Sequence, residues 1–196
     1  MRCPKTRRPL AAVLAMALLG TIVLSGCDLW VTPKPRPNPP TLPISTVPAN
    51  TSFTATEQAS IYSAVATYAV TTDFAGARSF PGATVYIYRE VESLSPTKAA
   101  VVSASVQTAV AAAIQTPQLG VAWVDRPEQV PRDARSSVRN GMTLTMGTIK
   151  RIDVDTVNVR FSTYFTDLSM HQTTSVVKRQ GQRWTVVGKT GSDIRS

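Results

Sequence analysis

A chain of 196 residues, 43% of them hydrophobic, is long enough to bury one core of its own. Its 21 lysines and arginines exceed the 12 acidic residues, for a formal charge of +9, and its single histidine argues against a histidine-built metal centre. The sequence has no Gly-x-Ser-x-Gly, no phosphate loop and no fixed-period repeat, so it carries no signature of a hydrolase, a nucleotide binder or a solenoid.

Arg2, Lys5, Arg7 and Arg8 open the chain, and an uncharged apolar run follows from Leu10 to Val23. That run is too short for a comfortable spanning helix and has the length of a signal-peptide core. Small residues come next, then a cysteine. Leu24-Ser25-Gly26-Cys27 resembles the bacterial lipobox. The resemblance implies cleavage before Cys27, a diacylglyceryl group on its sulfur, and an exported protein lipid-anchored at the extracytoplasmic face of the cell membrane. Acyl chains contribute about 0.8 kcal/mol per buried methylene, so two or three of them anchor stably without a spanning helix. An uncleaved signal anchor, or a secretory signal with an incidental cysteine, is the alternative. Asp28 resembles the inner-membrane retention signal of some lipoproteins, which leaves inner versus outer membrane open.

On this reading residues 1–26 are a lipoprotein signal peptide, 27–50 the lipidated cysteine with a linker, and 51–196 a single α+β domain. Loss of 1–26 removes Cys3 and four of the 21 basic residues but none of the 12 acidic ones, so 17 face 12 and the charge falls to +5. Cys27 then has no disulfide partner, and a cysteine metal site is excluded. Mixed charge on an exported domain points away from nucleic acid. It points toward anionic lipid or an envelope polymer.

The linker contains Val31-Thr32-Pro33-Lys34-Pro35-Arg36-Pro37-Asn38-Pro39-Pro40, with further prolines at Pro43 and Pro48. Fixed φ and missing donors predict an extended, semi-rigid spacer, at about 3.1 Å per residue; a proline-motif ligand for a partner protein is the alternative. Thr54-Ala55-Thr56-Glu57 reads as a capping box. It opens a helix with Ile61, Val65, Tyr68 and Ala69 on one face, ending around Thr71 to Asp73. Thr84 to Arg89 is rich in β-branched and aromatic residues and reads as a strand. Ser95-Pro96 is expected to open a second helix, with Val102, Val106, Ala109, Val110, Ala113 and Ile114 as its buried stripe and Thr116-Pro117 as its stop.

Leu119 to Asp125 reads as another strand, and the charged stretch Arg126 to Gly141 as a solvated, disordered loop. A four-stranded meander follows. Met142, Leu144 and Met146 share one face of its first strand, and Val157, Val159, Phe161 and Phe165 one face of the second. Thr173 to Arg179 is the third, and Gln180-Gly181-Gln182 turns into a last strand over Trp184 to Gly188. The expected fold is therefore α+β, with two main helices on one face of a curved antiparallel sheet ending in a C-terminal meander.

This element order, closed by Gln180-Gly181-Gln182-Arg183-Trp184-Thr185-Val186-Val187-Gly188, resembles cystatin-like folds, in particular the nuclear-transport-factor-two-like superfamily. The resemblance spans roughly Phe53 to Thr190. It implies a cone-shaped cavity between helices and sheet, used for ligand binding, catalysis or oligomerisation. The ligand-binding residues to look for are then Tyr62, Tyr68, Trp123, Tyr164 and His171, the alternative being that the aromatics are core or surface strand residues. A lone strand histidine is ordinarily solvated or a cross-strand neighbour. No carboxylate falls in a motif that the superfamily's isomerases would lend it, and Asp153 and Asp155 offer too few ligands for calcium. No catalytic residue, metal or cofactor is expected. The expected function is a non-catalytic envelope lipoprotein that binds a ligand, a protein or an envelope polymer. A small enzyme with a cone-shaped cavity and a dimerising assembly protein are the alternatives, and the oligomeric state stays open.

Overall fold

A computed structural model describes residues 52–75, 81–92, 100–166 and 169–195, all of which fall in one compact unit. The segment read as a signal peptide, Cys27, the proline-rich stretch read as a linker, and Ser95-Pro96 lie outside the described residues. The domain is α+β: two helices and a curved, mostly antiparallel sheet that ends in a run of four long strands.

Helix α1 (Ala55–Asp73) begins as its sequence dictates. The Thr54 hydroxyl accepts from the Glu57 backbone N–H at 3.2 Å, and the Glu57 carboxylate accepts from the Thr54 N–H at 3.1 Å. Two of the four N–H groups that a helix start leaves unpaired are so satisfied. That N–H bond from Thr54 is the main influence lowering the Glu57 carboxyl, with help from the Thr54 hydroxyl, Arg179 and Arg151 and against some desolvation. Ile61, Tyr62, Val65, Ala66, Ala69 and Val70 form the buried face.

The second helix starts later than its sequence suggested. Ala100 and Val101 form β3, which pairs with β2 (Glu90–Val91), and the Val102 N–H continues the ribbon to the Arg89 carbonyl. Only at Ala104 does helix α2 (Ala104–Ile114) begin, burying Val106, Val110 and Ile114 at a four-residue spacing. Adjacent β-branched valines suit a strand, and a partner strand within reach overrides the alanine-rich continuity of the helix. Val102 is buried ahead of the helix, and Ala113 is exposed.

The six-stranded sheet runs β4-β1-β5-β6-β7-β8. Here β1 is Ala83–Tyr88, β4 Leu119–Val124, β5 Gly141–Arg151, β6 Thr156–Thr166, β7 Ser169–Gln180 and β8 Arg183–Arg195. Strand β1 pairs in parallel with both β4 and β5, and the remaining pairs are antiparallel. The crossover through α2 makes the first of those parallel pairs, since parallel neighbours need a long connection. A side chain at Gly141 would meet the Thr84 carbonyl oxygen at 2.2 Å, so only glycine lets β5 enter beside β1. Strand β8 continues well past Gly188, to Arg195.

Alternation decides which face each residue takes. Val85, Ile87, Met142, Leu144, Met146, Val157, Val159, Phe161 and Val177 join the buried residues of both helices in one core. The stretch after β4 is ordered although most of its residues are exposed, which corrects the expectation of disorder. A 3₁₀ turn at Pro127–Gln129 lets the Gln129 amide oxygen accept from the Asp125 and Arg126 N–H groups. Arg132 and Val138 form a bridge, and the Asp133 carboxylate accepts from the N–H groups of Arg135 and Ser137. Two valines in a charged sequence suffice to fold it down: Val130 and Val138 pack with Val124 against Tyr86, Tyr88 and Tyr164 on the other side of the sheet.

Candidate functional site

The last residue of α1 delivers a carboxylate into the corner between helix and sheet. Asp73 lies there with 8% of its side chain exposed, opposite His171 of β7, with 9% exposed. His171 shares the helix-covered face with Thr163, its partner across β6. One oxygen of Asp73 takes both neighbours: the Thr163 hydroxyl donates to Oδ2 at 3.0 Å, and His171 Nδ1 lies 2.6 Å from the same atom. The other ring nitrogen, Nε2, meets the carboxylate of Asp193.

Asp193 reaches His171 because β8 is irregular at that point. His171 and Gln172 pair with Arg195 and Ile194, but Thr174 pairs with Thr190, so the segment around Gly191–Asp193 is extra length opposite Thr173. Gly191 has φ +75°, a conformation that glycine adopts without strain. Lys189 Nζ and Arg195 Nε lie 3.8 and 3.6 Å from Asp193 Oδ2. The hydrogen bond from His171 holds the Asp193 carboxyl below its ordinary value against an opposing desolvation, and the charges of His171, Lys189 and Arg195 add smaller contributions in the same direction as the bond.

Both imidazole bonds are donated at once only by a doubly protonated ring. Phe161 presents to the imidazole edge-on with centroids 5.9 Å apart, and Phe74 stacks on Phe165 at 5.4 Å. A cleft of about 250 Å³ opens beside the cluster, lined by Thr72, Asp73, Phe165, Ser169, Met170, His171 and Arg195. Each ring nitrogen is taken by a different carboxylate, so the three groups do not converge on one point. Among the described residues no group of three or more histidine, cysteine or acidic side chains is arranged to hold a metal ion.

The five residues named from the sequence do not form one site. Tyr62 is core, and its hydroxyl donates to the Gly147 carbonyl at 3.2 Å; burial pushes its phenol up to about 12. Tyr68 stands edge-on to Phe161 at 6.2 Å, with Lys189 Nζ 5.9 Å from its centroid. Trp123 packs on the core from β4, and its buried indole N–H has no partner among the described residues. Tyr164 is on the opposite face, with its hydroxyl donating to the Ser136 carbonyl and Arg132 over its ring. His171 alone enters the cleft, and it is buried between carboxylates rather than solvated.

Sequence reasoning missed Asp73 and Asp193. Asp73 is 98 positions from His171, and no local pattern links a helix end to a strand at that distance. Asp193 had a weak signal, since Gly191-Ser192-Asp193 interrupts a strand pattern where a bulge belongs. No family model, no curated protein and no solved structure matches this chain. Among the described residues no helix is long and apolar enough to cross a membrane.

Proposed function

We propose that this chain is an exported lipoprotein, anchored through Cys27, whose α+β domain binds a ligand or partner at the cell envelope without catalysis. The observation that carries the reading is Leu24-Ser25-Gly26-Cys27 placed behind a basic segment and an uncharged apolar run. The proline-rich segment that follows supplies a spacer between lipid and domain. The geometry at His171 supports the non-catalytic half. A general base needs a free lone pair within reach of a substrate proton, and here both ring nitrogens are bonded to carboxylates. The cluster serves as a tie between the end of α1 and the end of β8.

The test is metabolic labelling. Cells given labelled palmitate incorporate it into the wild-type chain, which partitions into the detergent phase, whereas Cys27→Ala stays unlabelled and aqueous. Unlabelled wild type that behaves like Cys27→Ala overturns the anchor. An enzymatic reading draws on one observation, that Ser169 lines the same cleft as His171 and Asp73. It requires Asp193 to leave Nε2, and an ester-hydrolysing activity abolished by Ser169→Ala establishes it.

A further inference from the structure

The face of the sheet turned away from the helices is covered at one end by the stretch after β4, through Val130 and Val138 over Tyr86, Tyr88 and Tyr164. At the other end it is open. A trough of about 840 Å³ crosses β5, β6, β7 and β8 there. The volume is in the range of ligand sites. Four strands at about 4.8 Å spacing make it roughly 14 Å long, which suits an extended ligand better than a compact ion.

Register sets what faces the trough. Lys150 pairs with Asn158, Arg160 with Thr174, and Ser162 with Gln172. Side chains alternate, so Lys150, Asn158, Arg160, Gln172 and Thr174 share this face. Arg160 lies diagonally across from Lys150, with their Cβ atoms somewhat less than about 7–8 Å apart. Thr190 and Ser192 of β8 extend the lining, and Glu92 stands at the β5 end.

These cations differ from most others in the domain. Arg89 pairs with Asp125, Arg179 with Glu57 and Asp155, and Lys189 and Arg195 with Asp193. Arg132 and Arg151 lie over aromatic rings. Among the described residues the side chains of Lys150, Arg160, Asn158 and Gln172 make no hydrogen bond or ion pair. Two unspent positive charges among amides and hydroxyls are suited to a ligand with acidic groups set among hydroxyls. Among the described residues no aromatic side chain lines the trough, so stacking on a neutral sugar face is not how it would bind. Glu92 repels an acidic group at its end and so fixes the position of a bound strand.

We infer that this trough binds an anionic, hydroxyl-rich polymer, an acidic polysaccharide strand of the cell envelope. The inference rests on the export reading for where the ligand is met, and on Lys150 and Arg160 for how it is held.

The test uses the full-length chain, purified from the cell in neutral detergent, with polygalacturonate as probe. Wild type binds it, binding weakens with added salt, and neutral dextran of equal length does not compete. Lys150→Gln with Arg160→Gln weakens binding at least tenfold at unchanged thermal midpoint. On the wild type, the amide signals of Gln172 and Thr174 shift on titration, a readout independent of any variant. No binding of polygalacturonate, equal binding by the double variant, or displacement by dextran overturns the inference. Vesicles containing phosphatidylglycerol are the second arm: if they shift Gln172 and Thr174 while polygalacturonate does not, the trough takes a lipid headgroup and the polymer assignment falls. The palmitate experiment is read separately. A labelled protein that ignores polygalacturonate leaves the anchor standing and removes the trough; an unlabelled protein that binds it does the reverse.

Discussion

On the helix-covered side of the sheet, Asp73, Thr163 and His171 close on one another and on Asp193, whereas on the open side Lys150 and Arg160 stand among amides and hydroxyls without a partner among the described residues. The first arrangement joins elements far apart in sequence. A buried charge must find its opposite, and the group that supplies it fixes how α1 sits against β7 and β8. The second arrangement contributes little to folding, because solvated charges on a strand face lose almost nothing when left alone. Charges that the fold has not used are the ones available for a ligand. The contrast separates residues whose loss is felt in stability from residues whose loss is felt in binding.

The largest effect lies under the cluster. Phe161 is fully buried and edge-on to both Tyr68 and His171, so Phe161→Ala costs about 4 kcal/mol in urea unfolding. His171→Leu comes next, at about 3 kcal/mol, because it leaves the buried Asp73 side chain with only Thr163 to bond it. A His171→Leu variant as stable as wild type breaks the comparison, since the corner would then not be a structural tie. Tyr62→Phe removes the donor to the Gly147 carbonyl and costs about 1–2 kcal/mol. It also removes the tyrosine signal that appears only near pH 12 in an ultraviolet titration. Thr54→Ala loses the cap of α1, at about 1 kcal/mol.

The smallest effects sharpen the contrast. Lys150→Gln with Arg160→Gln changes stability by no more than about 0.5 kcal/mol, and a larger loss would mean that the trough charges serve the fold. Asp193 is exposed, and its carboxyl is held below its ordinary value of 3.8, so its contribution is present above that value and fades as the pH falls through the lowered one. Asp193→Asn therefore loses this contribution at neutral pH and flattens the acid side of the stability profile, the variant and the wild type converging below about pH 4. A profile steeper than wild type in that window contradicts the bond to His171.

Sequence alone determined what depends on neighbours along the chain. The Thr54–Glu57 box, the alternation of Met142, Leu144 and Met146 and the turn at Gly181 are local chemistry with local outcomes. The α+β class follows from their order, and the Leu24–Cys27 pattern requires no fold to be read. Tertiary structure decided whatever turns on the meeting of distant segments. Ala100–Val101 became a strand because Glu90–Val91 was there to pair with it, and the loop after Asp125 folded because Val130 and Val138 found three tyrosines. His171 joined Asp73 and Asp193 because β6 places Thr163 beside it and β8 bulges at Gly191. The trough arose in the same way, since Lys150, Arg160 and Gln172 share a face only through register, and register belongs to pairs of strands rather than to any one of them.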